Sequence, residues 1–225
     1  MNYEEIEEKI GVVFGNRNLL KEALTHRSYM NEAKEPGAAH NERLEFLGDA
    51  VLELIVTTHL FNLFPQKMEG ELTLYRAALV NSRTLYQVAE ELMIIDKVQL
   101  SKSEARESLK SKSREKIAAN ALEALIGAIY LDKGYDVARV FVEKNIMSKL
   151  DKVELGGKDA KSIVQERAQS EFKITPTYKV LEESGPAHAR EFRVGLFFGD
   201  KKEAEGDGKS KQEAELNAAA AWLSK

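Results

Sequence analysis

The feature that most constrains this chain is a long apolar segment, from Asn41 to about Phe64, whose acidic side chains share one stripe if it is helical. Glu42, Glu45 and Asp49 have the helical spacing i, i+3 and i+7, which puts them on one face. A helix that is apolar nearly all round is normally buried, and buried carboxylates are costly unless something neutralises them. The pattern therefore favours a divalent cation beside this stripe. Apolar residues occupy the opposite stripe: Leu44, Leu47, Val51 and Leu54.

A second apolar helix, predicted over about 117–131, carries the same kind of pattern. Asn120 and Glu123 are the only strongly polar side chains between Ile117 and Ile129, and their i, i+3 spacing gives them one face. No Lys or Arg is evident on either polar stripe, and neither carries a His. An oxygen-only donor set suits a hard cation such as Mg²⁺ or Mn²⁺. Two such ions can activate water and stabilise the leaving oxygen in phosphodiester cleavage.

A purely structural explanation of the acidic stripe is also open at this level. Glu42 and Glu45 could be exposed to solvent, or paired with an arginine of a neighbouring segment, Arg43 or Arg76. Glu123 is harder to explain in this way because its helix is so apolar. Other candidate side chains are interpreted as bystanders, structural residues or surface residues: Glu53, His26 and His40.

Composition limits where the chain works and what it can bind. Its 225 residues contain no cysteine, which excludes disulfides and thiolate metal sites and fits a reducing compartment. No apolar run approaches the roughly 18 residues of a membrane span, and the polar, acidic start is unlike a signal peptide. We therefore expect a cytoplasmic protein. With a net charge of −4, any surface that binds nucleic acid must be local.

The chain divides into a helical part and a smaller mixed part. We predict an all-α domain over residues 1–152, a linker over 153–158 and a second domain over 159–225. The two glycines at 156–157 are typical of a hinge. The polar run 101–116 is interpreted as a solvated loop or helix end. Further helices of the first domain are predicted at about 3–10, 18–25, 83–92 and 135–150, with one more beginning at Glu69.

After the hinge, the spacing of apolar residues changes from helical to alternating. Gly199 and Asp200 form the predicted hairpin turn between two strands. Ser210, with Glu213 three residues later, indicates the capping box of a last helix. The fold class is therefore multi-domain: all-α, followed by a small α+β domain in the order α-β-β-β-α. Its first helix and three strands are predicted at 161–170, 177–183, 191–198 and about 202–207.

Several sequence blocks together strongly resemble bacterial ribonuclease III. The stretch from Asn41 to Asp49, NERLEFLGD, matches the family's signature at every position, and the resemblance extends over essentially the whole chain. Further blocks that match lie at 23–28, 76–80 and 124–132.

The resemblance implies a helical ribonuclease III nuclease domain that forms a homodimer, followed by a double-stranded-RNA-binding domain. Such an enzyme hydrolyses both strands of duplex RNA with Mg²⁺, for which Mn²⁺ can substitute, and leaves 5′-phosphate and 3′-hydroxyl ends. It acts in the processing of rRNA precursors and in mRNA processing and decay. By motif position, its metal ligands correspond to Glu45, Asp49, Asn120 and Glu123. Asp49 and Glu123 are the expected catalytic residues, and Glu42 and Glu69 match carboxylates at the RNA cleft that assist cleavage.

Two departures from the family pattern bear on function. The family commonly has Asp where this chain has Asn120, whose side-chain oxygen can bind a cation but brings no charge. We expect an active enzyme because the three carboxylates remain; the alternative is a dsRNA-binding protein with a weakened nuclease centre. The second departure, at 73–75, replaces a more polar stretch before Arg76 and bears on RNA contact. A hydrolase of small phosphate compounds would leave the RNA-binding part unexplained.

The second domain resembles the double-stranded-RNA-binding fold, which recognises A-form duplexes by shape, 2′-hydroxyls and phosphates. Gln165 and Glu166 match helix positions that touch the minor groove. Pro186 and His188 lie in a loop that matches the one entering the next minor groove. The start of the last helix is expected to bind phosphate through its N-terminus and its lysines, although the family often has another basic residue where Gln212 stands. The residues concerned are Lys209, Ser210 and Lys211.

Overall fold

The computed structural model describes residues 3–33, 38–107, 111–152, 157–186 and 190–223 of the chain. Its internal contacts form two units, one of Met1–Gln66 with Tyr75–Val153 and one of Lys67–Leu74 with Glu154–Lys225. Each unit is described by itself below. In the part of the chain described, no helix has the length and apolar character needed to cross a membrane.

The first part of the chain is helical, as predicted. Its α-helices are α1 (Tyr3–Ile10), α2 (Arg17–Ala23), α3 (Glu42–Leu63), α4 (Glu69–Val80), α5 (Ser82–Glu91), α6 (Lys102–Glu107), α7 (Ser111–Lys133) and α8 (Tyr135–Asn145). Short 3₁₀ helices lie at Arg27–Asn31, Ile95–Lys97 and Met147–Lys152.

The core of the first unit is the pairing of α3 with α7, which depends on two glycines. A Cβ atom on Gly48 would lie 1.7 Å from the carbonyl oxygen of Glu123, and one on Gly127 would lie 2.3 Å from the carbonyl oxygen of Leu44. Only residues without a side chain fit at these two points, so the helix backbones come into direct contact. Around the crossing, α7 contributes residues with no exposed surface, among them Leu122, Leu125, Ile126 and Ile129.

Helix α3 is not buried all round, contrary to the prediction from its apolar sequence. Leu44 and Val51 are buried, but Leu54 is 55% exposed. Phe46 and Phe61 are 81% and 68% exposed on the same side as Leu54. The first unit packs against only one side of α3, which leaves these three side chains as an exposed apolar stripe.

The polar run 101–116 is largely helical rather than a solvated loop. It contains α6, and α7 begins at Ser111 instead of near Ile117. Tertiary contacts hold its charged residues, since Arg114 Nη2 lies 3.1 Å from an oxygen of Asp96 and Ser113 donates to Glu104. Arg, Lys and Glu are also good helix formers in their own right, which the interpretation of this run as a loop did not weigh.

The second part of the chain confirms the predicted order α-β-β-β-α. Its elements are α9 (Gly157–Phe172), β1 (Thr177–Ser184), β2 (Glu191–Phe198), β3 (Lys201–Gly208) and α10 (Lys211–Leu223). The strands form one antiparallel sheet in the order β1-β2-β3. The turn between β2 and β3 is at Gly199, whose φ of +61° is a left-handed conformation that glycine adopts easily.

Alternation along β2 sets the core of this domain. Leu196 and Phe198 point to the buried face and pack against alanines of the two helices. A Cβ on Gly206 of β3 would lie 2.1 Å from the backbone nitrogen of Ala218, so α10 lies directly on the sheet. Small residues in α10 make this close packing possible.

The predicted capping box of α10 is present with one difference. The backbone N–H of Glu213 donates to Ser210 Oγ at 3.2 Å, as expected. The Glu213 carboxylate accepts from the N–H of Lys209 at 2.8 Å, one residue before the cap. This fixes Lys209 and Ser210 at the positive end of the helix.

Candidate metal centre and nucleic-acid interface

The crossing of α3 and α7 brings the two predicted polar stripes together. Asn120 on α7 lies close enough to the Glu45 carboxylate on α3 to lower its pKa, against the larger raising effects of burial and Glu42. Glu123 lies close enough to Asp49 and Glu45 to feel both negative charges. Glu45, Asn120 and Glu123 are half-buried, and Asp49 is exposed. The four residues predicted as metal ligands therefore lie near one another where the two helices cross, and they are called the carboxylate cluster below, although their side chains do not converge on one point in the described part of the chain.

The cluster carries negative charge that the protein only partly compensates. Burial, together with the charges of Asp49 and Glu45, raises the pKa of Glu123 to about 8. Burial and the charge of Glu42 also raise the pKa of Glu45, against the opposing effects of the Asn120 hydrogen bond and the charge of Lys116. Such a site stabilises a bound cation, because the cation removes the repulsion between the carboxylates.

The donor set fits a hard divalent cation. Three carboxylates and an amide oxygen are the oxygen ligands that Mg²⁺ and Mn²⁺ prefer. Within the described ranges, no three or more His, Asp or Glu side chains converge closely enough to count as a metal-binding group. The Asn120 amide is the unusual member, because it brings no charge and would present its oxygen to an ion.

The expectation that no lysine or arginine lies on the polar stripes was wrong. Lys116 lies four residues before Asn120 on α7, and its charge lowers the pKa of Glu45. Lys116 and Lys112 line the same cavity as Glu45 and Asn120, of about 650 Å³. The sequence did indicate that these lysines share the face of Asn120, since Lys112, Lys116 and Asn120 have the helical spacing i, i+4 and i+8. It was missed because residues 101–116 were not assigned to the helix.

Glu42 lies at the edge of the central cluster, where its charge raises the pKa of Glu45. It is exposed, one of its oxygens lies 3.2 Å from Arg27 Nη1, and the other lies 3.8 Å from His40 Nδ1. The ion-pair alternative therefore holds for Glu42, but with a partner other than Arg43 or Arg76.

The residues interpreted as bystanders have structural partners. Arg76 Nε lies 3.0 Å from Glu53, away from the carboxylate cluster. Nδ1 of His26 accepts a hydrogen bond from the N–H of Ser28, which caps the 3₁₀ turn after it. Burial lowers the pKa of His26. These contacts agree with the structural interpretation of Glu53 and His26.

Glu69 lies in the first turn of α4, exposed, and accepts a hydrogen bond from Thr73 Oγ1 at 3.1 Å. It belongs to the second contact unit. Its place at an RNA cleft stays a prediction.

The residues predicted to bind RNA in the second domain lie on its surface where the structure describes them. Gln165 and Glu166 are exposed on α9, and Pro186 is exposed after β1. His188 lies outside the described residues. The three at the start of α10 are all exposed: Lys209, Ser210 and Lys211. The Ser210 hydroxyl already caps the helix, so the backbone N–H groups and the two lysines are the groups left for an anion.

Comparisons with known proteins agree with this geometry. A family model described as Ribonuclease-III-like matches residues 16–150, and one described as double-stranded RNA binding motif matches residues 160–225. The first match covers α3 and α7 with the carboxylate cluster, and the second covers the α-β-β-β-α domain except its first residues. The RNA-binding part, which a hydrolase of small phosphate compounds would leave unexplained, is thereby accounted for.

Two relatives that match nearly the whole chain have the same name. A "Ribonuclease 3" of Nitratiruptor sp. is 42% identical over 218 residues, covering 96% of this chain and 93% of that protein. One of Clostridium perfringens is 41% identical over 225 residues, covering 99% and 93%. Among solved structures, a nuclease domain of ribonuclease III from Campylobacter jejuni matches with a TM-score of 0.57 and 40% identity, over 65% of this chain and 99% of that one. The chain therefore belongs to the ribonuclease III family, and it is an endoribonuclease of double-stranded RNA.

Proposed function

We propose that this chain cleaves both strands of double-stranded RNA with Mg²⁺, for which Mn²⁺ can substitute, and leaves 5′-phosphate and 3′-hydroxyl ends. The observation that carries the proposal is the cluster of Glu45, Asp49 and Glu123, where burial and mutual repulsion raise two carboxyl pKa values. These three side chains and the oxygen of Asn120 would hold the ion. When bound, such an ion supplies positive charge that stabilises the negative charge developing on phosphate oxygens.

The protein's own groups position this chemistry. The glycines at the helix crossing keep α3 and α7 in contact, so that acidic side chains from both helices meet. Asn120 lies beside the Glu45 carboxylate and lowers its pKa, which favours the charged form that binds an ion. We assign the catalytic role to Asp49 and Glu123, and an assisting role at the RNA cleft to Glu42 and Glu69.

The second domain would hold the duplex by its shape. Exposed side chains on α9 and after β1 suit contacts to 2′-hydroxyls across minor grooves. The start of α10 suits a phosphate between them, because backbone N–H groups, the helix dipole and Lys209 and Lys211 all attract anions. We further propose rRNA precursors and structured mRNA as substrates and the cytoplasm as the site of action, in keeping with the family.

We also propose that the chain acts as a homodimer. The Campylobacter jejuni nuclease domain was described for structural flexibility in a region involved in dimer formation. In this chain, Phe46, Leu54 and Phe61 form an exposed apolar stripe along α3, and exposed stripes of this kind mark protein interfaces. Sedimentation at micromolar concentration should give the mass of two chains; a single-chain mass would count against the dimer.

The decisive experiment is a cleavage assay on a long RNA duplex with purified full-length chain. Cleavage is expected with Mg²⁺ and with Mn²⁺ and should stop when EDTA removes the metal. A single-stranded RNA of the same sequence serves as the control and should survive. A duplex left intact in both metals would refute the proposal.

Asn120 supports a second candidate, a dsRNA-binding protein with a weakened nuclease centre. The amide brings no charge to the cluster and is engaged with Glu45. We favour an active enzyme and expect that Asn120→Asp lowers the Mg²⁺ concentration needed for half-maximal cleavage, because a fourth carboxylate binds the ion more tightly. At saturating Mg²⁺, both proteins should cleave at similar rates. Robust cleavage only by the Asn120→Asp variant would instead support the second candidate.

A further inference from the structure

Two lysines at the start of α7 lie beside the carboxylate cluster, and the charge of Lys116 acts on Glu45 without forming an ion pair with it. Lys112 and Lys116 are exposed and line the cavity that also contains Glu45 and Asn120. Neither forms an ion pair with any described residue, whereas the arginine between them, Arg114, is paired with Asp96. With Asn120, the two lysines form one row along the helix at i, i+4 and i+8.

The positions of these lysines are unfavourable for the helix itself. Lys112 lies in the first turn of α7, where the helix dipole favours acidic residues, and this turn has none. Lys112 and Lys116 are also like charges four residues apart, which destabilises a helix. A sequence that served only the stability of α7 would place other residues here. An anion bound by the pair would remove both penalties.

The cavity also offers an unused donor. Asn41 is 1% exposed and lines the same cavity. Its Nδ2 atom is buried and has no hydrogen-bond partner in the described part of the chain. The third basic residue of the cavity, Arg27, is already paired with Glu42. Three carboxylates also line the cavity: Glu42 is paired with Arg27, Glu104 accepts from Ser113, and Glu45 belongs to the carboxylate cluster. The basic and donor groups left for an anion are therefore the two lysines and this amide.

We propose that Lys112 and Lys116 bind a backbone phosphate of the RNA strand, in the cavity next to the carboxylate cluster. This rests on the proposed function, because the carboxylate cluster acts on the same strand. Acidic side chains repel RNA, so a strand that reaches Glu45 and Asn120 needs cations beside them. The lysines supply that charge one and two helical turns before Asn120, and they act as positioning residues for the cleaved strand. Lys116, the nearer one, contributes more.

The test compares Lys112→Gln, Lys116→Gln and the double variant with wild type in duplex cleavage at a series of KCl concentrations. Glutamine keeps most of the stem and the helix propensity but removes the charge. The slope of log(kcat/KM) against log[KCl] should become shallower by about one for each lysine removed. KM should rise more than kcat falls, and Lys116→Arg should restore the wild-type slope. The melting temperature should stay the same or rise.

Lys144→Gln is the matched control, because Lys144 is exposed in the last turn of α8, the end that suits a cation. It should leave the salt slope unchanged. The proposal is overturned if the α7 variants keep the wild-type slope, or if they lose activity and melting temperature together. Failure of wild type to cleave duplex RNA would be a different result, since it contradicts the proposed function.

Discussion

Glu123→Gln should reduce cleavage of duplex RNA by about a thousandfold or more, because it would remove a charged ligand of the proposed ion, which would stabilise the transition state by several kcal/mol. Glu123 is the one carboxylate that α7 contributes to the cluster, and it feels the charges of both Asp49 and Glu45. Binding of the duplex should be nearly unchanged, since the second domain is untouched. Single-turnover cleavage and duplex binding, measured on the same preparation, separate the two effects.

A second readout of Glu123→Gln does not depend on activity. Mg²⁺ should raise the melting temperature of wild type, because a ligand that binds only the folded state stabilises it. Mg²⁺ should raise the melting temperature of the variant much less. Without metal near pH 7, the variant should melt at the same temperature or higher. The raised pKa of Glu123, about 8, means that folding must keep this half-buried carboxyl protonated, and glutamine carries no such cost.

Glu53→Gln provides the control on the neighbouring helix. Glu53 is an acid of α3 that pairs with Arg76 outside the cluster. The same chemical change there should leave cleavage and the Mg²⁺ effect on melting intact. Equal losses in both variants would show that Glu123 has no special role.

Gly48→Ala should destabilise the first unit by about 3 kcal/mol or more, although alanine is the better helix former by about 1 kcal/mol. The new Cβ would meet the backbone carbonyl oxygen of Glu123 at 1.7 Å, so no side chain can rotate away and the helices must separate. The expected fall in melting temperature is roughly 6–12 °C. Cleavage should fall as well, because Glu45 and Glu123 would no longer meet.

Gly15→Ala is the matched control for this prediction. A Cβ on Gly15 would lie 3.4 Å from the nearest atom, an oxygen of Asp132, which is an ordinary contact. In wild type, the N–H of Gly15 donates to the Asp132 carboxylate at 2.7 Å, and alanine keeps this N–H. Thermal unfolding should therefore separate the two variants clearly. A Gly48→Ala protein as stable as Gly15→Ala would show that the helix crossing tolerates separation.

Local patterns in the sequence were sufficient for much of the fold. The i, i+3 and i+7 spacing of acids on α3, the alternation along β2 and the turn at Gly199 each act over a few residues, and the structure confirms the elements they predict. Family motifs selected Glu45, Asp49 and Glu123 as candidate ligands, which they still are. The start of α7 was misplaced because tertiary contacts support it, such as the ion pair of Arg114 with Asp96, 18 residues earlier in the chain.

The carboxylate stripes and their spacing were determined by the sequence alone, because helical periodicity is a property of neighbouring residues. Only the tertiary structure decided what each acid faces. The direct backbone contact at Gly48 and Gly127 places Glu123 near Asp49 and Glu45, leaves Glu42 to Arg27, and brings Lys116 near Glu45. It also left Phe46 and Leu54 exposed, since burial depends on which side of a helix the rest of the unit covers. Such facts involve residues far apart in the chain, and no local pattern encodes them.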